Sequence, residues 1–163
     1  VMTEGIPVVR MYTDESGYTR FSRMQIPVVS KTGLGSVGLF SSLFVNENLY
    51  DNTGDLKTQF AVTPVPDNLE GEGPKLAHTA PRRQLVLTLS GCLEFKSCGV
   101  EEDDDEYKVI IRRGDILLAE DLEGAGHVWR FVEAQDGQLY PWIRCYIHLG
   151  EEYEHFVSPL VEN

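Results

Sequence analysis

Along much of this chain hydrophobic residues fall at every second position, in short runs broken by turn residues. Residues 8–12 alternate in this way and end at Thr13, Asp14, Glu15, Ser16 and Gly17, a turn cluster. Residues 18–26 follow and stop at Pro27, so the segment over about residues 7–27 reads as a β-hairpin. Residues 30–38 are rich in Ser and Gly and read as loop. Residues 39–50 are apolar and fit a strand or a short helix equally well. A turn at Asp51, Asn52, Thr53 and Gly54 precedes a strand over residues 60–65. Residues 66–76, with two prolines, two glycines and several acids, form a long loop.

The second half has a sharper pattern. Strands are expected over residues 84–89, 93–96, 107–111, 116–119, 127–132 and 139–149. The turns between them carry Ser90 and Gly91, then Arg113, Gly114 and Asp115, then Gln135, Asp136 and Gly137. Residues 150–163 read as an acidic tail with Phe156 and Leu160 as docking points and His155 exposed. About nine or ten strands with no long helical period indicate an all-β sandwich or barrel rather than alternating β and α units. The length of 163 residues suits one domain.

Composition narrows the classes of function. A chain that is 42% hydrophobic and 25% charged is ordinary globular protein. Its net charge of −12 argues against nucleic acid and against an anionic membrane surface as partners. No apolar run approaches the about 18 residues of a membrane span, and no signal-peptide pattern opens the chain. Cys92, Cys98 and Cys145 form no C-x-x-C and no zinc spacing, which fits a reduced, cytoplasmic protein. The six acids from Glu101 to Glu106 read as a solvated hairpin tip. The pairs Arg82, Arg83 and Arg112, Arg113 are either solvated charges or a local positive site.

Several familiar motifs are absent or decoys. Gly33, Leu34, Gly35, Ser36, Val37 and Gly38 match G-x-G-x-x-G, but lack the strand before and the helix after that a dinucleotide site needs, so they read as a flexible loop. No nucleophile elbow, no H-E-x-x-H and no phosphate loop occurs, and nothing singles out a serine for a Ser/His/Asp triad.

Strand parity then gathers candidate chemistry, because successive residues face opposite sides. Gln84, Val86 and Thr88 share one face and Leu85, Leu87 and Leu89 the other. His127, Trp129 and Phe131 share a face, as do Tyr140, Trp142, Tyr146 and His148. Arg82 shares the parity of Gln84 and could pair with a carboxylate or phosphate.

The run His78, Thr79, Ala80, Pro81, Arg82, Arg83, Gln84, followed after six residues by Gly91, resembles the first motif of the cupin superfamily, G-x5-H-x-H-x3,4-E-x6-G. Gly114 and, further on, Gly124, Gly126 and His127 resemble the second, G-x5-P-x-G-x2-H-x3-N. Ala80 stands where the second histidine would be and Gln84 replaces the glutamate. The second motif lacks its proline, carries two extra residues before His127 and has Phe131 for asparagine. The resemblance covers residues 78–131 and implies a double-stranded β-helix (jelly-roll) barrel over residues 1–163, often as a homodimer. It implies a pocket with His78, Gln84 and His127 as metal ligands, for iron, zinc, manganese or nickel, or with no metal at all. Arg82, Gln84, Trp129 and Trp142 would contact a small-molecule ligand. Three readings stay open: a metal-dependent enzyme on a small polar organic acid, a metal-free binding module, and an interaction protein with a vestigial site.

Overall fold

The computed structural model describes residues 5–26, 28–31, 35–38, 58–67, 76–101, 104–149 and 158–159. Twelve strands and no helix occur among them, so the fold is all-β. The N-terminal hairpin is β1 (Ile6–Thr13) and β2 (Thr19–Ile26), in unbroken register from Ile6 opposite Ile26 to Thr13 opposite Thr19. Its turn is closed by Asp14, whose Oδ1 accepts from the amides of Ser16 and Tyr18 and whose Oδ2 accepts from Arg20 Nε at 2.7 Å.

β3 (Val28–Lys31) and β4 (Gly35–Gly38) form a separate antiparallel ribbon. Residues 35–38 are therefore strand rather than loop. The register sets Val29 opposite Val37, and the ladder takes up the backbone groups of the glycines. Residues 39–50 and 51–54, and the tail positions His155, Phe156 and Leu160, lie outside the described residues.

The remaining strands are β5 (Thr58–Thr63), β6 (Gln84–Ser90), β7 (Cys92–Ser97), β8 (Lys108–Arg112), β9 (Ile116–Glu120), β10 (His127–Phe131), β11 (Trp142–His148) and β12 (Ser158–Pro159). One sheet has seven strands in the order β12-β2-β1-β9-β6-β11-β5, with β1 and β9 parallel. A second sheet has the order β10-β7-β8. The two pack face to face and, among the described residues, do not close into a single barrel. β11 starts at Trp142, later than the pattern suggested, and a register shift falls between Ile143 and Arg144. Tyr140 is thus off the strand and exposed, its hydroxyl donating to Asp136 Oδ2 at 2.6 Å.

The alternation along each strand decides what lies between the sheets. Val9, Met11, Val86, Leu117 and Ala119 of the large sheet meet Leu93, Phe95 and Ile111 of the small one. The intervening residues Val8, Leu85 and Leu118 build a second apolar cluster on the opposite face of the large sheet, with Ile26. On that face too, Arg10 pairs with the buried Glu120 at 2.7 Å, and Arg83 approaches the same carboxylate at 3.8 Å. At the acidic run, Asp104 caps the turn that receives the Tyr107 amide, and Glu106 binds Arg20, which fits a hairpin tip.

Leu93 has no solvent exposure at the centre of the intersheet core. Leu93→Ala should lower the unfolding free energy by about 2–5 kcal/mol, read as a shift in denaturant midpoint at constant slope. The Arg20 guanidinium and two backbone amides hold the Asp14 carboxyl below the usual carboxylate range. A carboxyl whose folded pKa is depressed stabilises the fold above its unfolded value, near about 4, and loses that contribution as pH falls. Asp14→Asn should therefore flatten the acid limb of the stability curve and leave its slope at neutral pH unchanged.

Candidate functional site

A cavity of about 590 Å³ lies at the β6, β10 and β11 side of the sandwich. It receives His78, Arg82, Gln84, His127, Trp129 and Trp142, the expected metal and ligand contacts, but not Phe131, Thr88 or Tyr140. Gln84 and His127 are buried in its wall, as is Trp142. Arg82 and Trp129 line it half-buried, and His78 lines it from an exposed position at the rim. Phe131 packs against the core beside Trp129 instead of lining the cavity.

His78 and His127 are brought together by backbone first. Each donates its amide to the other's carbonyl, at 3.1 and 2.9 Å, which makes an isolated antiparallel bridge. Gly126 makes that approach feasible. It has a φ of 73°, and a Cβ there would stand 2.6 Å from the His78 carbonyl oxygen. The two imidazole centroids end 4.5 Å apart.

The ring orientations are fixed from the δ side. Nδ1 of His127 lies 2.6 Å from Asp121 Oδ2, and Nδ1 of His78 lies 3.1 Å from the Leu76 carbonyl oxygen. A carbonyl and a carboxylate only accept, so each imidazole donates through Nδ1, and in the neutral ring that leaves the lone pair on Nε2. Asp121 is completely buried, and its Oδ2 also accepts from Thr19 Oγ1 while its Oδ1 accepts from the Ala80 amide. The backbone carbonyl of Asp121 accepts from the same amide at 3.0 Å.

The opposite wall is supplied by β11. Trp142, Arg144, Tyr146 and His148 alternate into the cavity, with His148 in register with Gln84. Arg144 lies over the Trp142 ring at 3.8 Å. Its Nε donates to Tyr146 Oη at 2.6 Å and its Nη1 to Thr63 Oγ1 at 2.8 Å. Its Nη2 makes no hydrogen bond, and it meets no carboxylate, among the described residues. Gln59, from β5, completes this side.

No protein-family model matches this chain, and no curated protein matches it.

The chemistry on offer follows from the lining. Two arginines, three histidines and two glutamines face the cavity, and no Asp, Glu, Ser, Thr or Cys does among the described residues. Ser97 lies opposite His127 in the β7–β10 ladder, but it is buried away from the cavity, so it gives His127 and Asp121 no nucleophile there. All three cysteines are free, and burial pushes each thiol up, away from the thiolate form that a nucleophile needs. As a metal centre the expected donor set is short among the described residues: the His78 and His127 imidazoles and the Gln84 amide, with no anionic ligand. Among the described residues no group of three or more His, Cys, Asp or Glu converges.

Sequence reasoning did not single out Asp121, Gln59 or Arg144 as site residues, and noted Tyr146 and His148 only by parity. Arg144 shares that parity, so extending it along β11 would have found it. Asp121 follows an acid in a loop, where nothing distinguishes a buried carboxylate from a solvated one.

Asp121→Asn should invert the His127 tautomer. The new amide NH2 would face Nδ1, turning that nitrogen into the acceptor and moving the proton to Nε2. Imidazole ¹⁵N chemical shifts report the tautomer directly, and retention of the Nδ1–H form would show that Asp121 does not set it. Stability should fall by about 1–3 kcal/mol as well.

Proposed function

We propose that the cavity takes up a small organic acid, with Arg144 as the carboxylate anchor and Gln84, His127 and Arg82 as further polar contacts. One observation carries this reading: the described lining is cationic and neutral, with no carboxylate, in a protein whose net charge is −12. A guanidinium with no carboxylate partner among the described residues, in a half-buried wall, is costly unless an anion is taken up there. Its stacking on Trp142 and its bonds to Tyr146 and Thr63 hold the group in place before a ligand arrives. The volume suits a small molecule.

The fold reading that accompanies it is a jelly-roll of the cupin type. Its support is the pair of facing β-sheets and the convergence of His78, Gln84 and His127 on one cavity. Three free thiols fit a reducing, cytoplasmic setting. Among the described residues no helix is long and apolar enough to cross a membrane.

A second reading keeps a divalent transition metal at His78 and His127, and a specific observation favours it. Both imidazoles are tied through Nδ1 and keep Nε2 for an ion, which is the usual way metal-binding histidines are oriented. The bound acid would then provide the anionic donor that the described lining lacks.

The test is calorimetric titration of the purified protein with acetate, succinate, 2-oxoglutarate and benzoate, with benzamide as the uncharged control. Binding of at least one acid, no response to benzamide, and a loss of about tenfold or more in affinity with Arg144→Met are expected. Indifference to all four acids, or undiminished binding by Arg144→Met, overturns the proposal. Elemental analysis of the same preparation separates the two readings, since a near-stoichiometric metal lost in His127→Ala favours the second.

A further inference from the structure

We infer that the acid taken up here carries an aromatic ring, so that the site selects aryl carboxylates over aliphatic acids of the same size. This rests on the acid-binding reading above and names its ligand class.

The apolar part of the wall is built mainly from rings. Phe95, Trp129, Trp142 and Tyr146 line the cavity together with the His127 imidazole. The rings brace one another at steep angles. Trp129 and Trp142 have centroids 5.1 Å apart at 64°, and Phe95 and Trp142 are 5.8 Å apart at 80°. Phe95 also meets the His127 ring at 5.6 Å. Such a wall offers ring faces and ring edges side by side, the two surfaces that an aromatic guest engages through its own quadrupole.

Position ties this wall to the charge. Arg144 lies directly over the Trp142 ring, so a carboxylate bound to that guanidinium starts beside the indoles. The body of the ligand then has the aromatic wall as its neighbour. Trp129 and Tyr146 are half-buried and present the accessible ring surface, and the almost fully buried Phe95 and Trp142 pack behind them, so the wall does not have to be ordered on binding. Area burial alone would serve a saturated ring equally well. The added selectivity comes from the ring–ring geometry, and it applies only to an unsaturated guest.

The chain has two tryptophans, Trp129 and Trp142, and both line the cavity. Tryptophan emission therefore reports on this site alone. Benzoate and cyclohexanecarboxylate, matched in charge and ring size, are titrated against emission excited at the red edge of the indole band and, in parallel, by calorimetry. Benzoate should bind about three- to tenfold more tightly. In Trp129→Leu, a change at a half-buried position, both acids should still bind and the ratio should fall toward one. Equal or weaker binding of benzoate in the wild-type protein overturns the aromatic selectivity and leaves the acid site standing. Failure of both acids and of the aliphatic acids named above overturns the acid site itself. Should Trp129→Leu fail to fold, the wild-type ratio decides alone.

Discussion

A carboxylate with no exposure to water holds the site together. Asp121 follows directly on β9 inside the protein and must find donors there, because an uncompensated buried charge costs several kcal/mol. It takes one from each of three separate pieces of chain: the Thr19 hydroxyl of β2, the Ala80 amide and the His127 imidazole. Those pieces are far apart in sequence, and the bonds fix them relative to one another. The His78–His127 bridge follows, since the strand carrying one histidine and the segment carrying the other are both fastened to the same residue. Gly126 supplies the remaining condition by letting the two backbones touch.

Charge is arranged on two scales in this protein. At long range the excess of acids repels small anions, but salt screens that repulsion over about 8–10 Å. At short range the cavity presents guanidinium and imidazole groups in surroundings less polar than water, where their attraction is less screened. Uptake of an acid would thus depend on contact within the cavity rather than on steering from afar. The surface acids would disfavour loose, non-specific association of anions elsewhere. Glu120 shows how the same fold handles a carboxylate on the other face of the sheet, pairing it with Arg10 and Arg83 and so keeping it out of the cavity.

The parts of the fold that were legible in the sequence were those governed by local rules. The period-two alternation of β6 separates Gln84 and Val86 from Leu85 as the strand pattern requires, and the turn residues place the N-terminal hairpin. The gathering of His78, Gln84, His127, Trp129 and Trp142 on one cavity was legible through motif spacing and parity together. The closure of the strands was not. Whether facing sheets join at their edges depends on strand partners distant in sequence, such as the parallel pair β1 and β9. Gly35 to Gly38 misled because composition favours loop while pairing with β3 favours strand, and the partner won. The role of Asp121 was hidden for a similar reason, as its donors come from residues about a hundred and about forty positions away.

β5 joins the large sheet through β11 alone among the described residues, and it carries Thr63 and Gln59 toward the site. A strand with a single neighbour opens locally at much lower free energy than the whole domain unfolds. Each opening would release the Thr63 contact that orients Arg144. Affinity for a ligand of the proposed kind would therefore scale with the fraction of time this edge stays zipped, and an occupied cavity would in turn keep it zipped. Phe60 and Val62, 74% and 64% exposed on the outward side of that strand, thus gain leverage over a cavity they never touch, because whatever alters the pairing of β5 retunes the site from behind.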